Sequence, residues 1–203
     1  MNWKLPFYIL AHPFDGFYAM KFQKEGSVKL AILIFLLVCV SFSFNNQYAS
    51  VVVNPRNPLE LNSFVDFLML TAMLILFSVS NWSVTSLTDG EGRFKDIVMA
   101  VCYAMTPLVL TIAPAAVISN FFAAEEAGFY YMILSIGVAY FIFLVFVGLV
   151  TVHNYTATKA LITVLLTFVA LLVIVFLITL LFTLLQQLWV FVYSVYTEIT
   201  FRT

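Results

Sequence analysis

The chain has 203 residues, of which 64% are hydrophobic and 9% charged, with a formal net charge of -1. Soluble domains carry about 25% charged residues, so this composition excludes a soluble globular protein and points to one embedded in a bilayer. The near-neutral balance leaves no basic footprint for nucleic acid.

Residues 1–27 interleave Trp3, Phe7, Tyr8, Phe14, Phe17, Tyr18 and Phe22 with Lys4, Lys21 and Lys24. Aromatic rings and lysines together suit the headgroup layer, so an inner interfacial segment is expected, broken into two pieces at His12-Pro13 and Asp15-Gly16. The first apolar run then ends in Ser-Phe-Asn-Asn rather than at a small-residue cleavage site, so it is expected to remain as a span.

That first span covers about 28–44, near the lower length for crossing a hydrocarbon core of roughly 30 Å. Asn54-Pro55-Arg56-Asn57-Pro58 forbids a continuing helix and reads as an outer loop. Ser63-Phe64-Val65-Asp66 resembles a capping box opening the second span, about 64–86, with Asp66 in the first turn where a negative charge suits the helix N-terminus. Thr88-Asp89-Gly90-Glu91-Gly92 follows, and its two glycines are expected to permit positive φ and a tight reversal.

The third span, about 97–119, contains Pro107 and Pro114, which should kink or open it; the carbonyls so freed need partners, so this helix should face its neighbours rather than lipid. The fourth, about 129–152, carries Gly137 and Gly148, which allow close helix approach. The fifth, about 161–185, has no charge, and its Leu, Ile, Val and Phe residues give an upper estimate of about -8 kcal/mol for insertion. Its pairs Thr163/Thr167 and Thr179/Thr183, each at i and i+4, offer small faces for another helix. The tail, 186–203, stays apolar and aromatic through Trp189, Tyr193 and Tyr196, and as one helix with the fifth span would be too long for a bilayer. It must therefore bend onto the surface, tilt or project toward a partner.

Five spans put the termini on opposite sides. With the N-terminus inside, Lys4, Lys21, Lys24, Lys29, Arg93, Lys95 and Lys159 lie inside and only Arg56 and Arg202 outside, the distribution that the positive-inside rule favours. The sequons at Asn81 and Asn154 would then sit at the inner edge and stay unglycosylated.

Little in the chain suggests chemistry. Cys39 and Cys102 lie in apolar runs without CxxC spacing and read as buried hydrophobes. The turn at 90–96 lacks the spacing of a phosphate cradle, and His12 and His153, the only histidines, have no HExxH pairing to hold a metal. The span centres contain no Asp, Glu, Lys, Arg or His for a proton relay, and serines such as Ser78, Ser80 and Ser135 have no base nearby in sequence. No catalytic residue, metal or cofactor is therefore assigned, and the chain is expected not to be an enzyme.

Gly90-Glu91-Gly92-Arg93-Phe94-Lys95-Asp96, followed by Tyr103 and Pro107, resembles the Ypt-interacting-protein (Yip) family of five-span membrane proteins. There a glycine turn and a Phe-Lys pair join the second span to a third span carrying Tyr and then Pro. The resemblance makes Gly90, Gly92, Phe94, Lys95, Tyr103 and Pro107 the family-motif positions. His12-Pro13-Phe14-Asp15-Gly16-Phe17-Tyr18, Lys21 and Glu91-Gly92 look like a bacterial branch of that family. That implies residence in the bacterial cell membrane and partnership with permeases of sugar-type ABC importers.

The expected fold is thus all-α: a polytopic membrane bundle of five transmembrane helices with interfacial helices at both ends. The expected function is a non-enzymatic accessory or assembly subunit that packs against another membrane protein through Gly137, Gly148, Thr163, Thr167, Thr179, Thr183, Trp189, Tyr193 and Tyr196. The alternatives are a small transporter or channel built at the Pro107/Pro114 break, and a membrane-shaping or trafficking protein acting through its interfacial ends.

Overall fold

The structure is a computed structural model that describes residues 2–54 and 61–201. Pro55 and Pro58, expected in an outer loop, and Arg56 and Arg202, expected on the outer side, fall outside the described residues. All regular structure among the described residues is helical: α1 (Leu5–Ala11), α2 (Pro13–Lys21), α3 (Val28–Tyr48), α4 (Ser63–Leu87), α5 (Phe94–Ala104), α6 (Thr106–Ser119), α7 (Ala127–His153) and α8 (Ala157–Phe201). Five helical segments are long and apolar enough to cross a membrane: α3, α4, α5 with α6, α7, and α8.

Helix packing places α2, α3 and α5–α7 at the centre, with α4 and α8 paired along one side. The core is built from Phe17, Ile34, Ile97, Tyr103, Leu144 and Val147, among others. The third span is the most enclosed of the five, as its prolines require.

That span divides at Met105, between α5 and α6. Pro107 has no N–H to offer the Tyr103 carbonyl four residues back, and the Thr106 hydroxyl donates to that carbonyl instead, at 2.6 Å. At Pro114 the helix is not interrupted: α6 runs through it.

Several local expectations need correction. α4 is capped by Asn62, whose side chain accepts from the N–H groups of Phe64 and Val65, while Asp66 accepts laterally from the Asn46 amide of α3, at 2.9 Å. The capping box at Ser63 is therefore replaced by a clamp between two helices. No glycine among the described residues has positive φ; in the 88–92 reversal that conformation falls on Asp89, at 55°.

Residues 2–21 do more than lie on the headgroups. One side of the α1–α2 hairpin buries Leu5, Ile9, Phe17 and Met20 in the bundle, and the Tyr140 hydroxyl of α7 donates to the Leu10 carbonyl. The other side leaves Trp3, Phe7, Phe14 and Tyr18 exposed, as an interfacial face would be. The C-terminal tail is not a separate element, because α8 is one unbroken helix of 45 residues.

Candidate functional site

Two features stand out: a hydrogen-bonded junction around His153 where α4, the 88–93 turn, α7 and α8 converge, and the long C-terminal part of α8.

The junction starts from backbone geometry. Asn154 takes the left-handed conformation at 54°, ending α7 as asparagine can at that position and setting His153 beside the turn. The Gly92 N–H donates to His153 Nδ1 at 3.3 Å. A backbone N–H can only donate, so Nδ1 is the acceptor and the neutral ring carries its proton on Nε2. That N–H donates to Asn81 Oδ1 on α4 at 3.2 Å. The Asn81 amide donates in turn to the Thr167 hydroxyl of α8 at 3.1 Å, and that hydroxyl to the Thr163 carbonyl at 2.8 Å. His153, Asn81 and Thr167 are almost wholly buried, and their polar groups satisfy one another.

The glycines serve this contact. A Cβ on Gly92 would lie 2.6 Å from His153 Cε1 and 2.7 Å from Val152 Cγ1; one on Gly90 would lie 2.6 Å from His153 Nδ1 and 2.7 Å from the Tyr155 hydroxyl. Their role is close approach rather than an unusual φ. Tyr155 stacks on His153 with ring centroids 5.3 Å apart, and its hydroxyl donates to the Thr88 carbonyl at 3.0 Å.

Around the junction, the Lys21 ammonium donates to the Val152 carbonyl and sits 3.9 Å from Glu91, whose other oxygen accepts from Asn154 at 3.4 Å. Burial pulls the Lys21 ammonium below the ordinary lysine range, against the opposing pull of Glu91 and Asp96. Lys159 lies 4.5 Å over the Tyr155 ring. Both His153 nitrogens are engaged within the chain, and His12 stacks on Tyr8.

The remaining family-motif positions have separate roles. Tyr103 is fully buried, and its hydroxyl accepts from the Ser27 N–H at 3.1 Å and faces the Ser27 carbonyl at 3.3 Å, which ties α5 to the start of α3. Phe94 meets Trp82 edge-on at 6.2 Å. Lys95 is exposed and Pro107 buried.

Four of the residues expected to face a partner are used inside the chain. Thr163 and Thr167 are buried in the junction. A Cβ on Gly137 would lie 2.2 Å from Thr111 Oγ1, so that glycine lets α6 and α7 touch; one on Gly148 would lie 3.2 Å from the Phe17 ring, which seats α2 on α7. These small faces were correctly sized for helix contact, but the contacting helices belong to the chain itself. Thr179, Thr183, Trp189, Tyr193 and Tyr196 remain exposed.

Sequence reasoning missed Asn81 and His153 as a pair, although a signal existed. Asn81 is an amide at the end of an apolar span, where polar groups turn toward the protein interior.

The C-terminal part of α8 is the second feature. Its fully buried residues, Ala160, Thr163 and Thr167, all lie near its start. At 1.5 Å per residue its 45 residues extend about 65 Å, roughly twice the hydrocarbon thickness. Trp189, Tyr193 and Tyr196 are 72%, 61% and 65% exposed.

A family model described as the Yip1 domain matches residues 7–196. No curated protein and no solved structure matches the chain.

Proposed function

The chain belongs to the Yip1 domain family, and from that premise we propose that it is a non-enzymatic accessory or assembly subunit that docks laterally on another polytopic protein through the outer part of α8. The proposed partner is the permease of a sugar-type ABC importer, in a bacterial cell membrane, with the N-terminus cytoplasmic and the C-terminus outside. The observation that carries the docking is α8 itself: an apolar helix about twice as long as the hydrocarbon core is thick, with its outer half uncovered by the rest of the chain. Apolar surface of this extent beyond the hydrocarbon favours burial against a partner. The importer part rests on the resemblance to the bacterial branch, and the orientation on the distribution of Lys and Arg.

A transport pathway at the proline break gains no support from the geometry. Thr106 already fills the hydrogen bond that Pro107 leaves open, and Pro107 is buried.

The test is a mild-detergent pull-down of the tagged protein from its own membranes, alongside a variant truncated after Leu185, with bound proteins identified by mass spectrometry. Permease and ATPase subunits should co-elute in fixed ratio with the full chain and be lost with the truncation. Elution of the full chain alone would overturn the proposal.

A further inference from the structure

The 90–92 turn and the first turns of α8 share one directional chain of hydrogen bonds. It runs from the Gly92 N–H through His153 and Asn81 to Thr167 and ends on the Thr163 carbonyl. Each member donates forward, so the chain holds only while the imidazole offers one acceptor and one donor. It also joins two parts that the rest of the chain holds to very different extents. The turn is wedged against His153 through Gly90 and Gly92, whereas α8 has its fully buried residues only near its start and a long uncovered lever beyond them.

We propose that this chain is a latch that fixes the angle at which α8 leaves the bundle, and that protonation of His153 opens it. An imidazolium carries a proton on both nitrogens, so Nδ1 would face the Gly92 N–H donor to donor. With Gly90 and Gly92 already in close contact with the ring and with Tyr155, neither partner can turn aside without moving the turn. The reorganised ring then loses its alignment with Asn81, and Asn81 its alignment with Thr167. The ionisable groups facing the junction are Lys21 from α2, Glu91 and Arg93 from the turn, Asp96 from α5, Tyr155 from the connection after α7, and Lys159 from α8. From α4, Asn81 meets the ring and Thr85 lies beside Gly90, both uncharged. This inference rests on the reading of α8 as a docking arm only for its biological use; the latch itself is a property of the isolated chain.

The experiment uses the full chain in nanodiscs with spin labels on cysteines introduced at two exposed sites, Ile142 on α7 and Phe182 on α8, the native cysteines being buried. Label-to-label distances are measured at neutral pH and in steps down to about pH 3, far below the ordinary histidine range. The unmodified latch should give a narrow distribution at neutral pH that broadens and shifts in acid. Thr167→Val, which keeps the shape but removes the hydroxyl, should give the broad distribution at both, and Thr167→Ser should restore the narrow one. His153→Gln should remove the response to acid. A Thr167→Val distribution as narrow as that of the parent, in a protein whose helical circular dichroism is unchanged, would overturn the latch, as would an acid response that survives His153→Gln. Neither result bears on whether a permease co-purifies, so the latch and the docking proposal can fail separately.

Discussion

If Gly92 is required for close approach and not for an unusual φ, then Gly92→Ala should cost more while His153 is present than when it is gone. The added Cβ would lie 2.6 Å from His153 Cε1 and 2.7 Å from Val152 Cγ1. No alternative packing is free nearby, because Tyr155 covers the other side of the ring. Forcing a methyl into such a contact costs about 1–3 kcal/mol. At about 2 kcal/mol the folding equilibrium falls roughly thirtyfold. In a His153→Ala background the ring is gone and only the Val152 methyl remains in the way, so the increment from Gly92→Ala should shrink by at least half. The assay is SDS titration in mixed micelles, followed through Trp82, which lies beside the turn against Phe94. An equal cost in both backgrounds would refute the reasoning and return the glycine to a backbone role.

Other outcomes follow from the same geometry. Tyr103→Phe removes the acceptor of the part-buried Ser27 N–H; it should destabilise the protein by about 0.5–1.5 kcal/mol and raise amide exchange at Ser27. Gly137→Ala, whose Cβ would meet Thr111 Oγ1 at 2.2 Å, should cost about 1–3 kcal/mol. Gly128→Ala, with nothing within 4 Å of the new methyl, should instead stabilise by about 0.4–1 kcal/mol; thermal unfolding in detergent separates the two. In a eukaryotic secretory membrane, Asn154 should stay unglycosylated if the N-terminus is cytoplasmic, whereas a glycan there would reverse the orientation. Asn81 cannot report, because it is buried and hydrogen-bonded to His153.

Long apolar runs were legible because membrane insertion depends on length and hydrophobicity, both written directly in sequence. The five segments and the dense third span followed from that physics, and the Gly90–Pro107 pattern placed the chain in its family. What was not legible was which surface each small or polar residue meets. Gly137, Gly148, Thr163 and Thr167 have the size that lets helices approach, but size alone does not say whether the neighbour is the same chain or another protein. The Gly90–Gly92 turn looked like a request for positive φ. Only the position of His153, 61 residues further on, reveals that the demand is for space. The cap at Asn62 was displaced by one residue for a similar reason, since Asp66 finds a partner on α3 that local reading does not see.

The central claim, that outer α8 is a docking surface, is most directly tested by placing a photo-crosslinking residue at Tyr193 or Tyr196 in cells, with Phe143 on α7 as an exposed comparison site. The account predicts a discrete protein adduct from both tail positions, identified as a polytopic permease, and none from Phe143. Adducts to lipid alone from Tyr193 and Tyr196 would contradict it.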